Sequence, residues 1–345
     1  MTDAALLDAI VREMHTGVVV IDSSRRVVHA NPFFIESFRV AGEPRGKLLD
    51  AIIGDGAVSG AVDRFIDSGA IPEGKIDFCE GGRFYKVRFV PLRGDDGARL
   101  VLFLQDVTEE KRVEAIKKDF VANVSHELRT PLASIKGYSE TLLDGAVEDR
   151  RTLSEFLRII DRHATRMTRL IEDLLTLSRL ESQPLVMDSR PVDMGEVITA
   201  SAAGFAKQAA DKGIGLAVSV PPGLPTVCCD RDRIEQVLVN LLDNAIKYTP
   251  NGGSVEVSAR DDGACVRVEV RDTGIGIPAG DIPRIFERFY RVDKARSRAM
   301  GGTGLGLAIV KHIIQAHDGT VSVESAPGEG STFAFTLKRG SGDCC

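Results

Sequence analysis

His126 stands in the run Ser125-His126-Glu127-Leu128-Arg129-Thr130-Pro131-Leu132. Imidazole can act as a nucleophile or a proton carrier near neutral pH. On a helix turning ~100° per residue, Phe120, Val121, Val124, Leu128, Leu132 and Ile135 gather within about 120°, and His126 lies about 175° from the middle of that arc. The ring therefore faces water, or a group arriving from water. Taken alone, a solvent-facing histidine is most often chemically idle. Here Glu127 is adjacent, Thr130 follows one turn on, and Pro131 removes the amide that would bond the Glu127 carbonyl, which permits a local bend. Such a histidine suits a nucleophile visited first by one domain and then by another. The zinc-protease pattern fails, because Thr130 occupies the place of the second ligand.

A second set of polar residues is spread over three stretches. Asp230 to Tyr248 predicts a helix capped by Asp230, with Ile234, Val237, Leu238, Leu241, Leu242 and Ala245 inward. Asn240, Asn244 and Lys247 fall on one stripe of it. Their amide oxygens can orient Mg²⁺ or its waters and the ammonium can meet phosphate, although a merely solvated polar face explains the stripe equally well. Asp272 ends a strand before Thr273-Gly274-Ile275-Gly276-Ile277-Pro278, where a carboxylate can accept the exocyclic amine of adenine and glycines let the chain approach a flat base. Gly301-Gly302-Thr303-Gly304-Leu305-Gly306 opens an amphipathic helix, whose free amides and positive end favour phosphate. Between the two glycine clusters, residues 284–298 carry six basic and two acidic side chains, which reads as a mobile lid anchored by Phe286 and Phe289. Gly274 to Ala279 also fits a dinucleotide fingerprint, but it follows an antiparallel hairpin pattern and leaves Asn240, Lys247 and the second glycine cluster unused.

The elements that must hold these residues come from 345 residues, 43% apolar and 27% charged, an ordinary globular composition. The formal charge of -6 argues against a protein that coats nucleic acid, so any phosphate site must be local. No apolar run nears the ~20 residues needed to span a bilayer, and no cleavable leader opens the sequence, so a cytoplasmic protein is expected. Cys79, Cys228, Cys229, Cys265, Cys344 and Cys345 have no zinc-type spacing and are expected to be reduced thiols.

Three segments and a tail follow. Residues 1–107 alternate short strands and turns: a hairpin from Gly17 to Ala30, an Asn31-Pro32 turn, and strands at Arg83 to Pro91 and Ala98 to Val107. Residues 108–182 carry no strand pattern and predict two long helices with a break at Gly137 to Gly145; the second bears Phe156, Ile159, Ile160, Met167, Leu170, Ile171, Leu174 and Leu177. One hairpin cannot bury both stripes, so two chains are expected to pair into a four-helix bundle. Residues 188–339 predict a one-faced sheet under helices, with Val255, Val257 and Ala259 facing Val266, Val268 and Val270 across Asp261-Asp262-Gly263. Residues 340–345 read as a mobile tail.

In this order the motifs resemble those of the sensor histidine kinases of two-component signalling. His126 to Leu132 is similar to the phosphoacceptor box, Asn240 to Thr249 to the N box, Asp272 to Ile277 to the first glycine box, Phe286 to Tyr290 to the F box and Gly302 to Leu307 to the second glycine box. Residues 287–307 look most like the phosphate-regulon branch. The first segment resembles a PAS domain, with His15, His29 and Cys79 as conceivable cofactor contacts.

The resemblance implies a multidomain α+β protein: a PAS-like module, a dimeric four-helix-bundle hairpin and an α/β-sandwich ATP-binding domain of the Bergerat type. It implies ATP and Mg²⁺, with His126 taking the γ-phosphoryl group, Glu127 acting as base toward the ring, and Thr130 orienting water for dephosphorylation of a partner. It implies that Asn244 holds Mg²⁺ with help from Asn240, that Lys247 meets phosphate, Tyr248 borders the base and Asp272 selects adenine, with Gly274, Gly276, Thr303, Gly304, Leu305 and Gly306 completing the nucleotide site. The implied partners are a second copy of the chain and a response-regulator receiver domain whose aspartate accepts the group. Two alternatives stay open at this point: an ATPase of the gyrase and chaperone type, where a carboxylate base usually stands at the position of Asn240, and a scaffold without catalysis.

Overall fold

The computed structural model describes every residue except 1–2, 70–74, 95–96, 145–148, 183–186, 294–301 and 341–345. Parts of the expected lid and nearly all of the expected tail lie outside the described residues. The chain divides into two compact units, Met1–Val121 and Ala122–Cys345.

In the first unit, β1 (Gly17–Ile21), β2 (Val27–Ala30), β3 (Ile76–Glu80), β4 (Arg83–Gly94) and β5 (Gly97–Asp106) form an antiparallel sheet in the order β2-β1-β5-β4-β3. Helices α1 (Asp3–Glu13), α2 (Pro32–Ser37) and α3 (Gly56–Ser68) complete the unit. The Asn31-Pro32 turn is in fact the start of α2, since a capping amide followed by proline at the first helical position also describes a helix N-terminus. Asn31 is buried; its Oδ1 accepts from Val18 N at 2.9 Å and Phe34 N at 3.1 Å, and its Nδ2 donates to the carbonyls of Val11 at 3.0 Å and Thr16 at 2.9 Å. One side chain thus ties α1, β1 and α2 together with every bond satisfied. The core is aromatic, with Phe38 4.7 Å and Phe78 5.5 Å from the Tyr85 ring. His15, His29 and Cys79 are exposed and do not gather in that core.

Helix α4 (Thr108–Leu143) and helix α5 (Arg150–Ser182) make the predicted pair. The break falls later than expected: Gly137 lies inside α4, where its carbonyl accepts from Thr141 Oγ1 at 2.9 Å. Pro131 is buried within α4, and the hydroxyl of Thr130 bonds the His126 carbonyl at 3.2 Å one turn back. Several apolar side chains of the pair remain uncovered in one chain, among them Val121 at 57%, Leu132 at 56% and Leu175 at 53% exposure.

The rest of the second unit carries β6 (Arg190–Val192), α6 (Met194–Asp211), β7 (Gly215–Ser219), β8 (Val227–Cys229), α7 (Arg231–Tyr248), β9 (Ser254–Asp261), β10 (Cys265–Asp272), α8 (Gly306–Ala316), β11 (Val321–Ala326) and β12 (Gly330–Lys338). The main sheet runs β11-β12-β10-β9-β7, antiparallel except for β7 beside β9. Val257 pairs with Val270 and Val270 with Phe333, Ala259 with Val268 and Val268 with Phe335, so the period-two pattern puts all of these on one buried face. Inward residues of α6, α7 and α8, such as Ile198, Leu241 and Ile313, are buried as well. Cys79, Cys229 and Cys265 are free thiols, whereas Cys228 is disulfide-bonded, contrary to the expected reduced state. Burial on β8 pushes the Cys229 thiol up to about 12. No helix among the described residues is long and apolar enough to cross a membrane.

His317 closes α8 onto α7. Its Nδ1 lies 2.8 Å from the Ile313 carbonyl and so carries the proton, and its Nε2 accepts the Asp230 amide at 3.0 Å. Burial holds this imidazole below its usual 6.5. Below pH 6.5 the unfolded chain therefore takes up a proton that the native one refuses, and stability present above that value is lost as pH falls toward the depressed one. Thermal melts should fall between pH 7.5 and 5.5 by more in the native protein than in His317→Gln, whose amide oxygen can still accept the Asp230 N–H; equal losses would assign the acid sensitivity to other groups.

Candidate functional site

Helix α7 starts where expected: the Asp230 carboxylate accepts from Arg233 N at 3.2 Å. Its inner face is buried through Ile234, Val237, Leu238, Leu241 and Leu242, which turns Asn240, Asn244 and Lys247 toward a cavity of about 470 Å³. Tyr248, Asp272, Gly276, Thr303, Gly304 and Gly306 line the same cavity, so three distant stretches of sequence meet as anticipated. That volume lies within the range of small-ligand sites.

Asp272 is the buried carboxylate of the cavity lining. The residue is 5% exposed, and its Oδ1 accepts from Gly274 N at 2.8 Å and Ser331 N at 3.2 Å. Burial raises its carboxyl above the usual range, against the pull of those two amides. Gly274 does not line the cavity; a Cβ there would stand 2.6 Å from Asp272 Oδ1 and 2.8 Å from the Tyr248 carbonyl, so its lack of a side chain lets β10 pass close to α7. Gly276 has φ +69°, and a Cβ on it would fall 1.9 Å from the Ala326 carbonyl, which leaves only glycine there.

Helix α8 begins at Gly306 with no side-chain cap, and Gly306 and Leu307 of its first turn line the cavity. Leu305 is fully buried behind the wall rather than lining it. A Cβ on Gly306 would come within 3.1 Å of Asn240 Oδ1, and Asn240 Nδ2 is buried with no protein partner among the described residues. Burial pushes the Lys247 ammonium down, with Asp243 opposing and Arg291 among the repelling charges.

The segment before the second glycine cluster is anchored differently from the expectation. Ile285, not Phe286 or Phe289, is the buried side chain; Phe289 takes φ 61° so that its amide can bond the Gly304 carbonyl at 2.8 Å, and both phenylalanines stay half-buried. The basic residue that this bend delivers is Arg291, which sequence reading counted only as part of a charge excess. It is 5% exposed and lines the cavity, with Nη2 donating to the Gly302 carbonyl at 2.7 Å and to Glu127 Oε2 at 3.1 Å. Arg166 of α5 donates to the same Glu127 oxygen at 2.8 Å. Asp173, also on α5, accepts from Thr303 Oγ1 at 2.7 Å, and burial raises its carboxyl. Arg166 and Asp173 gave no motif; only their place on the helix paired with that of His126 hinted at them. His126 itself is exposed on α4, and neither it, Glu127 nor Thr130 lines the cavity.

Two domain families match this arrangement: residues 116–183 match the His kinase A (phospho-acceptor) domain, and residues 229–341 the histidine kinase-, DNA gyrase B- and HSP90-like ATPase. Over 98% of its length the chain is 36% identical to the sensor-like histidine kinase SenX3 of Mycolicibacterium smegmatis, covering 86% of that protein. The chain belongs to the sensor histidine kinases. It is also 39% identical to the sensor histidine kinase WalK of Bacillus subtilis, over 69% of this chain and 39% of WalK. Among solved structures, histidine kinase AdeS of Acinetobacter baumannii aligns with TM-score 0.51 at 29% identity, over 63% of this chain and 98% of that one. The histidine kinase ThkA, solved with the response regulator protein TrrA, shares the fold over 99% of both chains with TM-score 0.56 at 22% identity.

The kinase's activity is ATP-dependent phosphorylation of its own histidine, followed by phosphotransfer to a response regulator. The gyrase- and chaperone-type alternative is set aside by the phosphoacceptor match, which no such ATPase requires. Chemically, the cavity offers what phosphoryl transfer asks of a protein: the cations Lys247 and Arg291 and the start of a helix, with little covalent work.

Proposed function

We propose that His126 is the phosphoacceptor, that the cavity from Asp272 to Arg291 holds ATP with Mg²⁺, and that the second acceptor is an aspartate of a receiver domain. The observation that carries this reading is the junction at Glu127: the residue beside the exposed His126 shares an ion cluster with Arg291 of the cavity. With adenine against Asp272 and Tyr248, the phosphate chain runs past Asn240, Asn244 and Lys247 toward the second glycine cluster and Arg291. Thr303, Gly304 and Gly306 border the phosphates, while Gly274 and Leu305 act from behind the wall. The unpaired Asn240 Nδ2 is a donor that suits a phosphate oxygen or a metal-bound water, and the side-chain oxygen of Asn244, which lines the cavity, suits a hard cation that keeps phosphate and water as its other ligands. Mg²⁺ held by these residues would supply charge neutralisation to the phosphates. Glu127 takes the proton from one ring nitrogen of His126, and the other nitrogen attacks the γ-phosphorus, leaving ADP and a phosphoramidate. Thr130, exposed one turn on, orients water when the phosphorylated regulator is docked.

The domain reading is 1–107 PAS-like, 108–182 dimerisation and phosphotransfer, 188–339 ATP-binding, and 340–345 tail. The strand order of the first unit supports the PAS-like part, and the uncovered Val121, Leu132 and Leu175 support a second copy of the chain completing a four-helix bundle. A protein fuelled by ATP and serving a receiver domain works in the cytoplasm. Incubation with γ-labelled ATP and Mg²⁺ should give acid-labile, base-stable label on a dimeric chain. An unlabelled wild type that still binds ATP would favour the silent scaffold, and a monomer at micromolar concentration would remove the bundle.

A further inference from the structure

Arg291 is a buried guanidinium with unfinished chemistry. Its side chain is 5% exposed, yet Nε is buried with no protein partner among the described residues. Nε also marks the glycine-rich end of the cavity, since a Cβ on Gly304 would lie 3.1 Å from it. A buried donor left unpaired is costly and points to a ligand. Nη2 is shared between the Gly302 carbonyl and a carboxylate: Arg291 Nη2 and Arg166 Nη2 both hold Glu127 Oε2, whose side chain is 11% exposed. Arg291 therefore faces two anions at once, a protein carboxylate on one edge and the phosphate end of the cavity on the other. One planar fork with a fixed set of donors cannot serve a doubly charged terminal phosphoryl group and Glu127 equally well.

We propose that Glu127 is an internal competitor for Arg291, displaced by the terminal phosphoryl group of a nucleoside triphosphate but not by a diphosphate. Arg166 is then the residue that receives the displaced carboxylate, since it already holds the same oxygen. Thr303, bonded to Asp173 of α5 at 2.7 Å, keeps the glycine-rich loop against the helix pair while the exchange occurs. The coupling makes release of the carboxylate beside His126 conditional on the presence of a transferable phosphoryl group. Its consequence for transfer rests on the roles proposed for His126 and Glu127, whereas the exchange itself is a matter of binding alone.

Equilibrium binding to the full chain tests it, with a non-hydrolysable ATP analogue and with ADP as probes. Glu127→Gln should tighten the triphosphate analogue about tenfold, the scale of one charge-assisted hydrogen bond, and leave ADP within about twofold. In an Arg291→Met background the same Glu127→Gln change should have no effect on either nucleotide. Equal tightening of both nucleotides, no tightening of the analogue, or tightening that persists without Arg291 would each overturn the proposal. Because no phosphoryl group moves in this assay, absent labelling with the exchange intact would count only against the phosphoacceptor reading.

Discussion

A His126→Gln chain is expected to take up less than about a thousandth of the acid-labile label of the native kinase, with its melting curve and nucleotide affinity unchanged. Activity is lost because a carboxamide has no basic nitrogen to attack phosphorus. The fold survives because His126 is exposed, no hydrogen bond to its ring is found among the described residues, and glutamine is a good helix former on α4. The experiment also discriminates within the molecule. His163 lies in the same phosphoacceptor match on α5, half-buried, with Nδ1 unpartnered among the described residues and its imidazole pushed below its usual 6.5 by burial and by Arg162 and Arg166. It is a second candidate nucleophile on chemical grounds. Label that persists in His126→Gln and disappears in His163→Gln would move the acceptor to α5.

What could be read in the sequence follows from the range of each interaction. The Asp230 cap and the apolar positions of α7 are local, and one buried face enforces strict alternation on β9 and β10, so both were visible as patterns. Helix α2 was not, because six residues give too little periodicity to tell a helix start from a turn at Asn31-Pro32. The candidate site divides the same way. Asn240, Asn244 and Lys247 share a helix stripe and could be grouped from spacing alone. The partners of Glu127 lie 39 and 164 positions away, and no periodicity connects them. The pattern of residues 284–298 puts their anchor on Phe286 and Phe289, whereas the left-handed backbone at Phe289 turns that ring only half inward and leaves burial to Ile285.

Asp272→Asn should cost about 100-fold or more in ATP affinity while sparing the fold. The amide can keep its oxygen toward Gly274 N and Ser331 N, the two bonds that Oδ1 now accepts at 2.8 and 3.2 Å, so the β10 end stays satisfied. Under the proposed adenine contact, what changes is the group turned to the base: an NH₂ replaces a carboxylate oxygen and meets the exocyclic amine of adenine donor to donor. Two buried donors left facing each other lose their bond and their hydration together, and a factor of 100 corresponds to about 2.7 kcal/mol. Guanine carries an acceptor oxygen at the matching ring position, so the preference for ATP over GTP should collapse by a similar factor. The carboxylate reading also fixes the sign of the pH dependence. Burial holds the Asp272 carboxyl above its usual 3.8, and only the charged form accepts the amine well, so ATP affinity should fall on acidification before ordinary carboxylates begin to titrate. Calorimetric titration of both nucleotides against native and Asp272→Asn protein decides the matter. Unchanged ATP affinity in a folded variant would mean that adenine is held by the apolar walls at Ile277 and Phe333, and that Asp272 serves only to close the β10 end.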